Sequence, residues 1–246
     1  MNNLLYSIIL SSIAGLSTLL GTIFIFFNIK KKDEFICTCL SISLSVMVLI
    51  SILDLLPESI KLLSNNYFTS YILYLILFLT IGFVLVKLFS KIIIKEKGSS
   101  LYKIGILSFL TLILHNLPEG ILTFMSSMHS YNLGLKICFA IAMHNIPEGI
   151  AIAVPIYYAT KNKIKALYIT FLSSLAEPIG AIITYLFLKD MITDKGVGIT
   201  LIIVSGIMIT LSIEELLPEA KKYNKERYII KGIIIGIVIS LISIFI

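Results

Sequence analysis

The chain reads as an all-α, polytopic integral membrane protein, and three observations say so. Of its 246 residues, 58% are hydrophobic and only 14% are charged, where a soluble domain carries about 25% charged residues. The apolar residues fall in long runs separated by short polar breaks, each run near the roughly 20 residues that an α-helix needs to cross a bilayer. The lysines gather at alternate breaks, as in a chain threaded back and forth through a membrane.

Taken in order, the runs predict eight helices at about 4–27, 37–63, 68–93, 101–127, 133–159, 164–189, 197–220 and 228–246. They fill residues 1–246 as a single transmembrane domain, with no room for a separate soluble one. The first run, Leu4 to Phe27, lacks a basic leader and is longer than a signal-peptide core, so it reads as a retained helix. Around the breaks after the first, third, fifth and seventh runs lie Lys30, Lys31, Lys32, Lys87, Lys91, Lys95, Lys97, Lys103, Lys161, Lys163, Lys165, Lys221, Lys222, Lys225, Arg227 and Lys231; the other side receives only Lys61, Lys136, Lys189 and Lys195. The richer side is expected to be cytoplasmic, which puts both termini outside. The net charge of +6 therefore serves topology, and a nucleic-acid partner is not expected. Cys37, Cys39 and Cys138 are too few, and too apolar in setting, to form a disulfide framework.

The second run ends in Asp54-Leu55-Leu56-Pro57-Glu58 and the seventh in Glu215-Leu216-Leu217-Pro218-Glu219. Those two helices are expected to run in opposite directions, so the pairing predicts an inverted repeat of three helices, two central helices and three more, with a site near the midplane. Asp54 and Glu58 fall near the outer end, and Glu214, Glu215 and Glu219 near the inner end. They read either as acidic mouths that concentrate cations or as charges tolerated at headgroup depth.

The two central runs carry the most informative residues. His-Asn-Leu-Pro-Glu-Gly occupies 115–120 and His-Asn-Ile-Pro-Glu-Gly occupies 144–149. Residues i and i+4 of a helix are offset by about 40°, so His115 and Glu119 share a face, as do His144 and Glu148, with Asn116 and Asn145 beside them. Glu177 in the sixth run falls at a similar depth. Pro118, Pro147 and Pro178 remove backbone donors and free the carbonyls of Leu114, Met143 and Ser174. No Lys or Arg accompanies the three central acids, whose ionised forms would cost on the order of 10 kcal/mol together if left unpaired in lipid. A divalent metal held by imidazole, carboxylate and amide oxygen satisfies them, and such a set suits zinc, iron or another first-row ion. Proton sharing in a relay is the rival answer. Gly120, Gly149 and Gly180 read as close-packing positions, and His129 as a solvated surface residue.

These strings, with Ser174-Leu175-Ala176-Glu177-Pro178-Ile179-Gly180 and Gly206-Ile207-Met208 leading to Glu214-Glu215-Leu216, resemble the ZIP (Zrt/Irt-like) family of metal transporters, nearest its bacterial ZupT branch, over the whole length. The resemblance implies an eight-helix homodimer in the cell (plasma or inner) membrane that carries divalent metal into the cytoplasm. It implies one metal position formed by His115, Glu119, His144 and Glu148, and a second completed by Asn116, Asn145 and Glu177. It also implies that helices 1, 4, 5 and 6 move against helices 2, 3, 7 and 8. The connection from Lys95 to Ser100 lacks the His-rich segment of many members. Asn145 and Gly149 replace acids found in one large eukaryotic group. A broad substrate range of zinc, iron, manganese, cobalt and cadmium follows. The ion is expected as cargo, with no catalytic cofactor. A metal-gated or proton-conducting channel is the alternative. An intramembrane metallohydrolase is less well supported, because His-Glu-x-x-His is missing.

Overall fold

The computed structural model describes residues 3–27, 30–63, 68–94 and 116–244. Among them every regular element is helical. In chain order these are α1 (Asn3–Phe26), α2 (Lys32–Leu63), α3 (Phe68–Ile94), α4 (116–129), α5 (Tyr131–Thr160), α6 (Lys163–Met191), α7 (Asp194–Lys221) and α8 (Glu226–Ile244). Among the described residues, six helices are long and apolar enough to cross a membrane: α1, α2, α3, α5, α6 and α7. The first part of the fourth expected helix, 101–115, lies outside the described residues, and His115 with it.

Local chemistry sets the ends. α2 begins at Lys32, five residues before the apolar run alone suggests, because Asp33 and Glu34 occupy its first turn, where carboxylates favour the positive end of the helix dipole. α6 is capped by Asn162, whose side chain accepts from the Lys165 N–H at 3.0 Å. The Thr193 hydroxyl does the same for α7, accepting from Gly196 at 3.1 Å.

Prolines shape the interiors. Before Pro57, residues Ser51–Leu55 form a single π-turn, in which the Leu56 N–H reaches back to the Ser51 carbonyl. Before Pro218, residues Ser212–Leu216 form the same turn, with Leu217 bonded to Ser212. Proline cannot continue the α pattern of hydrogen bonds, and a one-residue wider turn takes up the offset. α6 breaks at Leu175, close to the Ser174 carbonyl that Pro178 leaves without its helical donor.

Small residues bring the helices to backbone contact. Gly21 of α1 faces Gly149 of α5, and Gly120 of α4 faces Gly180 of α6. A Cβ at Gly120 would stand 2.5 Å from the Glu177 Cα, so the α4–α6 crossing tolerates no side chain there. α1 packs on α5 and α6, α3 on α7, α2 on α7 and α8, and the α2–α5 contact joins the two groups. Outward faces keep large apolar side chains such as Leu73, Ile76 and Phe187 exposed, as suits a lipid surround.

Candidate metal site

Along α5 the polar residues His144, Asn145 and Glu148 lie between two apolar clusters. One contains Ile137 and Ile141 with residues of α1, α2, α4 and α7; the other contains Ile150, Ala153 and Ile156 with residues of α2 and α6. Asn116, Glu119, His144, Asn145, Glu148 and Glu177 are all between 0 and 2% exposed. A band of six polar side chains inside an apolar bundle is costly unless each finds partners.

The structure gives them partners in pairs. Glu119 Oε1 of α4 lies 3.2 Å from His144 Nε2 of α5. The Ser43 hydroxyl of α2 donates to Glu148 Oε1 at 3.2 Å. The Asn145 amide donates to Glu177 Oε1 of α6 at 2.5 Å and to the Ala14 carbonyl of α1 at 2.9 Å, which uses both of its N–H groups. Five helices thus converge on the band.

Each pairing leaves capacity unused. Glu119 Oε2, Glu148 Oε2, Glu177 Oε2, Asn145 Oδ1 and both polar atoms of Asn116 are buried with no hydrogen-bond partner. Native proteins satisfy nearly all such atoms, so this concentration of unused oxygens, with the Asn116 amide N–H and His144 Nδ1 beside them, marks a place for a cation or for protons. Among the described residues, no three His, Cys, Asp or Glu side chains stand close enough together to hold a single ion. The donors form adjacent pairs, and His115, the first residue of one string, lies outside the described residues.

Residues outside the two strings also take part. Ser43 and the Ala14 carbonyl touch the band; the only sequence signal for Ser43 is that a hydroxyl recurs through the apolar run at Ser41, Ser43 and Ser45. Asp54, expected either as part of an acidic mouth or as a charge at headgroup depth, is instead buried and receives the Lys136 ammonium at 2.9 Å. His129, expected to be solvated, is half-buried, 3.5 Å from Asp194. Cys37, Cys39 and Cys138 are free and buried, with the Cys37 thiol packed on the Ala220 carbonyl.

Residues 90–243 match the family model described as ZIP Zinc transporter. The chain is 34% identical to a protein named zinc transporter ZupT from Clostridium perfringens, over 99% of this chain and 96% of that one. It is 37% identical to the protein of that name from Oceanobacillus iheyensis, over 99% and 98% of the two chains. It is 35% identical to the one from Campylobacter jejuni, over 96% and 94%.

Proposed function

The chain belongs to the ZIP family of zinc transporters, and from that premise we propose that it carries zinc across a cell membrane through the buried band on α4, α5 and α6. The observation that carries this reading is the set of unused carboxylate and amide oxygens on Glu119, Glu148, Glu177, Asn116 and Asn145. Oxygen and imidazole donors together suit zinc and also admit iron, manganese, cobalt and cadmium.

His115, Glu119, His144 and Glu148 form the first metal position, and Asn116, Asn145 and Glu177 complete a second that shares Glu119 and Glu148. The side chains present do three things for a passing ion. Glu119 and Glu148 supply charge, His144 supplies a nitrogen donor, and the Asn145 amide holds one oxygen of Glu177 so that the other stays free. The metal is cargo, and nothing here performs catalysis. The 3+2+3 inverted repeat is supported by the matching π-turns before Pro57 and Pro218, and eight spans with both termini outside by the apolar runs and the uneven lysines between them. Placement in the plasma or inner membrane as a homodimer completes the reading.

Uptake into proteoliposomes, measured with a panel of divalent ions under imposed pH and voltage gradients, tests it. Zinc flux that saturates at micromolar concentration and disappears in Glu119→Ala/Glu148→Ala is the expected outcome. Undiminished flux in that variant overturns the site, and unsaturable single-channel current overturns the carrier.

A further inference from the structure

The α2–α5 seam that carries the site also carries an ion pair at one end. α2 and α5 run antiparallel, since Ser43 reaches Glu148 while Asp54 reaches Lys136. On α2, Ser43, Met47, Ser51 and Asp54 recur at helical spacing. On α5, Lys136, Ala140, His144 and Glu148 recur every fourth residue, so each set forms one stripe. Met47, Ser51, Ala140 and His144, between the two end contacts, are at most 1% exposed. Lys136 stands twelve residues from Glu148, about 18 Å along the helix. The Asp54–Lys136 pair therefore closes one end of the same stripe that holds Glu148 at the other.

The pair is unequal. The Asp54 side chain is 8% exposed and that of Lys136 is 30% exposed. Asp54 Oδ1 takes the ammonium, while Oδ2 is buried with no hydrogen-bond partner. Lys61, near Asp54 on the same helix, is bonded to Glu58 at 2.6 Å. Leu55 and Ile137, beside the pair in sequence, are fully buried in the apolar cluster. Asp54 is thus an anion with more capacity than one tethered ammonium fills, and the lysine is the more exposed partner. Water is scarce around it, so the attraction is weakly screened.

We propose that Lys136 is a built-in stand-in for the transported cation: its ammonium latches α5 to α2 at Asp54 and shuts this end of the seam until a divalent ion displaces it. A doubly charged ion outcompetes a single tethered charge because its attraction to the carboxylate is about twice as large at a given distance, an advantage that sodium or potassium lacks. Displacement swings the lysine outward without unwinding either helix and opens the stripe that leads to His144 and Glu148. The latch rests on the transport reading, since only a transporter has use for an end that opens when cargo arrives.

The test reads opening directly. Ser51→Cys in the full chain, reconstituted in liposomes, is reacted with a membrane-impermeant cationic methanethiosulfonate, and the chain with only its native cysteines gives the background. Labelling is expected to be slow with the native pair, faster by on the order of tenfold in Lys136→Met and in Asp54→Asn, and slow again in Lys136→Arg, because removing one partner of a buried pair undoes the contact while a conservative swap keeps it. Micromolar zinc added on the reagent side is expected to speed labelling of the native pair and to leave the Asp54→Asn background unmoved. Equal labelling with and without Lys136, or zinc acceleration that persists in Asp54→Asn, overturns the latch. Should Lys136→Met fail to fold, Asp54→Asn and the zinc arm decide alone. Zinc uptake by the same liposomes separates the two ideas: flux with an unresponsive Ser51→Cys defeats the latch only, and a responsive Ser51→Cys without flux defeats the transport reading only.

Discussion

Residues 51–58 of α2 and 212–219 of α7 are one backbone device in two settings. Ser-Ile-Leu-Asp-Leu-Leu-Pro-Glu and Ser-Ile-Glu-Glu-Leu-Leu-Pro-Glu both fold as a π-turn running into a proline-started helix. Their acids differ. Asp54 is sealed under Lys136 of α5, its side chain 8% exposed, whereas in the second turn Glu214, which stands where α2 has Leu53, meets Lys87 of α3 at 2.5 Å with its side chain 30% exposed and the lysine 46% exposed. The same turn therefore carries a buried cross-helix pair at one end of the bundle and a part-exposed cross-helix pair, one position earlier in the turn, at the other. The backbone follows from local sequence, while the environment of each acid follows from the helix opposite it.

The largest expected effect tests whether both ends serve one middle. Glu119→Ala/Glu148→Ala should reduce zinc uptake to the chelator background whichever side the metal is offered from; uptake lost from one side only would mean two separate routes. Next comes the crossing that holds the middle together. Gly120→Leu forces a side chain into the Glu177 backbone, so uptake should vanish and stability should fall by about 1–3 kcal/mol or more, read as a lower thermal midpoint.

The contrast between the ends predicts unequal costs. Lys136→Met leaves Asp54 buried without its partner and should cost about 1–3 kcal/mol, less than a fully buried pair because the lysine is part exposed. Glu214→Gln should cost under about 1 kcal/mol, as exposed pairs do. Equal shifts in thermal midpoint would erase the distinction. On uptake the smallest effect is expected at Ser43→Ala, which removes one neutral donor from Glu148, worth about 1 kcal/mol. Uptake should fall about fivefold with little change in the thermal midpoint.

Much of this was legible beforehand, and what was not has a physical cause. Hydropathy marks the helices because lipid demands long apolar runs. The burial of Glu119, Glu148 and Glu177 follows from their central positions in those runs. The glycine crossings follow from small residues one position beyond Glu119 and Glu148, and at Gly180. The π-turns were not legible, since a proline announces a disturbed helix without saying how the preceding turn absorbs it. Nor was the Asp54–Lys136 contact, because Lys136 reads as one more topology lysine and Asp54 as a mouth or headgroup-depth charge. Only the register of α2 against α5 joins residues 82 positions apart. Ser43 and the Ala14 carbonyl were missed for the same reason. His115 and the rest of 101–115 lie outside the described residues.

Zinc K-edge X-ray absorption on the zinc-loaded protein in liposomes measures the ligands themselves. Zinc among Glu119, His144, Glu148 and their neighbours gives an oxygen and nitrogen shell at about 2.0–2.1 Å, with imidazole scattering that weakens in His144→Ala. A sulfur shell at about 2.3 Å, pointing to Cys37, Cys39 or Cys138, or a spectrum unmoved by His144→Ala, contradicts the central claim.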